Sequence, residues 1–150
     1  MTRSIERLTP RFVEFIPKAL EPGVLYISVE YTTTAHSCAC GCGEKVVLPL
    51  HPTDWCLTFD GKSITMRPSV GNWGFPCRSH YLITGSQIEW ASDWSEEQIA
   101  AGRTRDAKRR SSWHKGNRAK EPKAVEPIRD TRGNNGLIQR LVAFVTWFWR

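Results

Sequence analysis

Ten residues from Ala35 to Glu44, AHSCACGCGE, hold three of the chain's five cysteines beside a histidine and a glutamate. Thiolates and neutral imidazoles are the side chains that bind zinc best, and the ion takes about four of them at ~2.0–2.3 Å. Further along, PCRSH adds Cys77 and His80. Gly41 and Gly43 let the first segment curl into a knuckle, and Cys38, Cys40 and Cys42 share one parity, so their sulfurs can converge. Cys38, Cys40, Cys42, Cys77 and His80 are therefore five candidates for about four places on a Zn2+ ion. Which four bind stays open.

A zinc closed by four protein ligands is structural, whereas one that keeps a place for water can activate that water. Glu44, directly after the knuckle, is placed to serve as a general base beside such an ion, as in the zinc deaminases, or to be a solvated strand-end carboxylate. His36 is a second candidate catalytic group, an imidazole that could activate Ser79 or Cys42. Cys56 reads as a small buried hydrophobe, and His51 and His114 have no clustered partner. Arg78, between the candidate ligands, suits a surface ion pair or an oxyanion contact.

The elements that must hold these groups are mostly strands. GVLYISVEY alternates, with Leu25, Ile27, Val29 and Tyr31 on one face, and KVVLPL reads as a short edge or terminal strand because of Pro49. Asp60-Gly61 predicts a hairpin that pairs Phe59 with Lys62 and Leu57 with Ile64; Gly85-Ser86 predicts another that pairs Ile83 with Ile88 and Tyr81 with Trp90. Between them RPSVGNWGFPCRSH reads as a structured loop rather than a strand. SDWSEEQIAAGRTRDAKRR has a cap, an acidic first turn and a basic end, which predicts a helix.

Residues 1–91 carry eight basic and eight acidic side chains, so the whole excess of +6 falls after residue 91. The expected division is a zinc-binding β domain over 1–91, a basic helical and linker extension over 92–136, and an apolar helix over 137–150. The fold class is mainly β, an antiparallel hairpin core with C-terminal helices, and α+β as a whole. MTRSIERLTP lacks the apolar run of a signal peptide, and no apolar stretch reaches the ~20 residues of a membrane span, so a cytoplasmic location is expected. In a reducing compartment the thiols are free or metal-bound.

HSCACGCGEKVVLPLHPTDW, FDGKSITMRPSVGNWGFPCRSHYLI and the closing IEWA, taken together, make residues 12–91 resemble a bacterial family of unknown-function domains. Some members lie in operons with ubiquitin-like modifiers and E1- and E2-like enzymes. The resemblance implies a peptidase that trims a modifier precursor or removes the modifier from its targets. It also implies a zinc site at the matching Cys and His positions and a ubiquitin-like protein, through its C-terminal tail, as partner. The expected activity is that of a zinc metallopeptidase. The competing expectation is a non-enzymatic zinc-stabilised module whose basic tail binds nucleic acid or an acidic protein, with salt-sensitive affinity.

Overall fold

The computed structural model describes residues 4–118 of the 150-residue chain. Two four-stranded sheets and one long helix make up this part, so the fold is α+β. The expected apolar helix over 137–150 and the linker over 119–136 lie outside the described residues.

The first sheet runs β1 (Thr9–Phe12), β2 (Val24–Ser28), β3 (Thr33–Ser37) and β4 (Lys45–Pro49) in that order. β1 joins β2 parallel, and the other pairings are antiparallel. β2 is a central strand buried along its whole length, which is why its alternation ends early: Val29 and Tyr31, expected on the inner face, belong to the turn after Ser28 and are exposed. β4 is the edge strand that Pro49 requires, with Val46 and Leu48 inward and Lys45, Val47 and Pro49 outward.

The second sheet is a meander of β5 (Cys56–Phe59), β6 (Ile64–Gly71), β7 (His80–Thr84) and β8 (Gln87–Trp90). The Gly85-Ser86 hairpin has the expected register, Ile83 with Ile88 and Tyr81 with Trp90. Both turn residues have positive φ, 54° and 70°, the conformation that a two-residue turn with the twist of its strands demands. The other hairpin is displaced by two residues: Phe59 pairs with Ile64 and Leu57 with Met66. Asp60 causes this, because its Oδ1 accepts the N–H groups of Lys62 and Ser63 and its Oδ2 accepts the Ser63 hydroxyl. Those bonds close a four-residue loop, and a shift of two leaves every side chain on its expected face.

Leu25, Ile27, Val46 and Leu48 of the first sheet pack with Ile64, Met66, Tyr81 and Ile83 of the second in one core. The stretch before β1 ties the sheets together, since Leu8 donates its N–H to the Ser86 carbonyl and Ile88 donates to Glu6. Helix α1 (Glu96–Arg118) starts at a reciprocal cap in which Ser95 Oγ accepts from the Gln98 N–H and Gln98 Oε1 accepts from the Ser95 N–H. It runs eight residues past the expected basic stretch. The Arg110–Asp54 pair at 2.6 Å and Trp113, edge-on to His51 at 5.5 Å, dock that second half on the body. Among the described residues no helix is long and apolar enough to cross a membrane.

Candidate active site and thiol cluster

The knuckle is the turn between β3 and β4. Gly41 and Gly43 adopt φ of 80° and 86°, Gly41 donates its N–H to the Cys38 carbonyl, and Cys38 donates to the Glu44 carbonyl at 2.8 Å, closing the loop. Cys77 arrives from the β6–β7 loop, itself tied by Asn72 N–H to Ser79 O at 2.9 Å. The sulfurs of Cys38, Cys40, Cys42 and Cys77 all lie within 4.8 Å of one another. Cys38 is 3.5 Å from Cys40 and 3.9 Å from Cys77, and Cys42 is 3.8 Å from Cys77. Four sulfurs each ~2.3 Å from one tetrahedral ion stand about 3.8 Å apart, so this donor set fits a metal ion closed entirely by protein.

Neighbouring donors favour thiolates there. Ser79 Oγ lies 3.1 Å from Cys38 Sγ, and the Asn72 side-chain amide donates to Ser79 Oγ at 2.9 Å and points at Cys38 Sγ from 3.6 Å. Burial raises the Cys38 and Cys40 thiols. Burial also opposes ionisation of Cys77, but hydrogen bonds from Ser79 and from Cys40 and Cys42 outweigh it and bring that thiol down to about 7. Cys56, expected as a buried hydrophobe, is exposed on β5.

His80 does not join the cluster. It is the first residue of β7, paired with Gly71, and its ring lies on the opposite side of the strand from Ser79. Its Nε2 is 3.0 Å from Ser69 Oγ, and its Nδ1 is 2.7 Å from the backbone carbonyl of Ser92. Nδ1 must carry a proton to bond a carbonyl, so Nε2 is left to accept the serine hydroxyl. Ala91, donating its N–H to the His80 carbonyl, brings the Ser92 carbonyl to that place.

Ser69 comes from β6, within the register shift between Met66 and Val70. Val70 and Tyr81 face the core, so Ser69, Gly71 and His80 face the other way, with Ser69 the diagonal cross-strand neighbour of His80. Trp73 and Trp94 enclose the imidazole, with ring centres 4.9 and 5.3 Å away, and stack on each other at 5.7 Å. Gly71 makes room for this, because a Cβ there would stand 2.5 Å from Trp73 Nε1. Ser69 and His80 open into a cavity of about 470 Å³, walled on its far side by α1.

The other expected groups lie elsewhere. His36 is fully buried, its Nε2 2.8 Å from the Tyr81 hydroxyl, and its Nδ1 has no partner among the described residues. Burial pushes its pKa down to about 4, so it is neutral. Ser79 serves the thiol cluster rather than His36. Glu44 is exposed, and Arg78 forms the surface ion pair, with Glu96 at 2.9 Å. Ser69 was not singled out from the sequence; its signal was a serine two residues before Gly71, the cross-strand partner of His80.

A hydroxyl bonded to an imidazole, whose far nitrogen is fixed by a backbone acceptor at the edge of a cavity, is an arrangement that can activate a serine oxygen. Residues 12–91 match the family described as bacterial ubiquitination-like system serine protease (BubE), and the chain belongs to that family. No curated protein and no solved structure matches it. The expectation of a zinc metallopeptidase is thereby corrected: the family's protease class is that of a serine enzyme. The thiols are four potential metal ligands.

Proposed function

We propose that the chain is a serine peptidase in which Ser69 is the nucleophile, His80 the general base and the Ser92 carbonyl the group that orients His80. The 3.0 Å contact between Ser69 Oγ and His80 Nε2 inside a cavity, in a chain of a serine-protease family, carries this reading. Ser69 Oγ attacks the scissile carbonyl while its proton passes to His80 Nε2. The resulting imidazolium keeps its Nδ1–H on the Ser92 carbonyl, and His80 then gives the Nε2 proton to the leaving amine. Water, deprotonated by the same nitrogen, releases the acyl group from Ser69. Trp73 and Trp94 fix the ring and exclude water from its faces.

The substrate is the flexible C-terminal tail of a ubiquitin-like protein, which the family's place in a bacterial ubiquitination-like system supports. An extended tail can enter a cavity of this size where a folded domain cannot. Nothing in the family description favours nucleic acid.

Cys38, Cys40, Cys42 and Cys77 would hold a structural zinc ion, which would cross-link the β3–β4 knuckle to the loop that leads into His80. The experiment is incubation of the chain and its Ser69→Ala variant with a ubiquitin-like protein bearing residues beyond its tail. The wild type shortens the substrate and the variant leaves it intact; equal cleavage by both excludes Ser69.

A further inference from the structure

The cavity is shared by two walls of opposite character. One carries Ser69 and His80 among tryptophans; the other is α1, which contributes Arg103, Arg105 and Arg109 with a single acid, Asp106. Asp106 is taken by Arg109 at 2.7 Å. Among the described residues neither Arg103 nor Arg105 has an ion-pair partner. At 100° per residue these two flank the stripe of Ile99, Gly102 and Asp106 that α1 turns toward the body.

Arginines on a helix are ordinarily a solvated face, but this helix is fixed where it stands. Ile99 is buried, a Cβ at Gly102 would come within 3.1 Å of Trp94, Glu96 pairs with Arg78, and Arg110 pairs with Asp54. The guanidinium groups thus border the same space as the reacting serine. Both arginines are exposed at its rim, where a concave surface focuses their field and the planar fork matches a carboxylate. This wall lies wholly after residue 91, beyond the stretch that matches the family.

Resting on the serine-peptidase reading, we propose that Arg103 and Arg105 are specificity residues that bind a carboxylate of the substrate close to the scissile bond. An extended peptide advances about 3.3–3.6 Å per residue, so a cavity of about 470 Å³, roughly 8 Å across, holds roughly two residues. The carboxylate is therefore within about two residues of that bond, as an Asp or Glu side chain or as the peptide's own C-terminus.

The test uses full-length Ser69→Ala protein, whose binding is independent of turnover, and fluorescein-labelled Ala/Gly octapeptides. Glu or Gln is scanned through each position, and each peptide is made as a C-terminal acid and as an amide. Affinity rises about tenfold for Glu over Gln at one or two positions, or for the acid over the amide, which identifies the source of the carboxylate. Arg103→Gln with Arg105→Gln abolishes the preference, and the double Glu variant turns it toward a Lys-containing peptide. Equal or absent affinity for the Glu and Gln peptides, and for acid and amide, overturns the proposal. The same peptides offered to the chain with Ser69 intact separate the two readings. Cleavage without charge preference overturns this proposal alone, and carboxylate-dependent binding without any cleavage overturns the serine-peptidase reading alone.

Discussion

Cys77, in the β6–β7 loop, and His80, the first residue of β7, lie three positions apart and serve opposite sides of the sheet: Cys77 Sγ is 3.9 Å from Cys38 Sγ, and His80 Nε2 is 3.0 Å from Ser69 Oγ. Substitutions at the two sites should therefore separate metal from turnover. His80→Ala is expected to keep full zinc content by elemental analysis and to lose turnover by about 10³-fold or more. Cys77→Ser is expected to lose the metal and several kcal/mol of stability, with activity falling as the folded fraction falls.

Gly71 lacks the atom that would push Trp73 off His80. Gly71→Ala should lower kcat/KM by roughly tenfold or more, because small displacements of a reacting group are costly. Gly71 is exposed, so the melting temperature should change little. A large fall in melting temperature with unchanged kinetics would contradict the role given to Trp73.

His36 is a buried neutral imidazole whose pKa falls to about 4 through desolvation. Unfolding frees a group that binds a proton below about 6.5, so its contribution is fully present above that pH and is lost as pH falls toward about 4. The loss is on the order of 3 kcal/mol. His36→Gln keeps an acceptor for the Tyr81 hydroxyl but does not titrate. The melting temperature of the wild type relative to this variant should decline between pH 7 and pH 4.5; a difference constant across that range would contradict a neutral buried His36.

Glu44 is exposed at the foot of the knuckle, where its carbonyl, not its carboxylate, bonds Cys38. Glu44→Gln should leave turnover within about twofold, since surface substitutions without a special contact rarely matter. A loss of 10²-fold or more would restore the carboxylate to the chemistry.

Local rules account for what was legible. Gly85-Ser86 sets its hairpin to the residue, and the sulfurs of the knuckle do converge, through the turn that Gly41 and Gly43 allow rather than through strand parity. His80 lies outside the four-thiol group although the spacing Cys77-x-x-His80 suggests a half-site, because His80 begins a strand whose alternation turns it the other way. Ser69 was hidden because Pro68 and Gly71 read as strand breakers. β6 instead runs through both, taking Pro68 into a register shift and pairing Gly71 with His80, which only the pairing with β7 reveals. The parallel partner β1 is four residues long with a proline in it, too short for any periodicity. The last eight residues of α1 read as polar linker, because the contact that docks them, Trp113 on His51, is distant in sequence.

The most direct measurement treats the full-length chain with a fluorophosphonate and locates the adduct by peptide mass spectrometry. An activated serine oxygen displaces fluoride at phosphorus, so the account predicts one adduct, on Ser69, absent from His80→Ala protein. Labelling at another residue, or equal labelling of Ser69 with His80 removed, would contradict the pairing on which the mechanism stands.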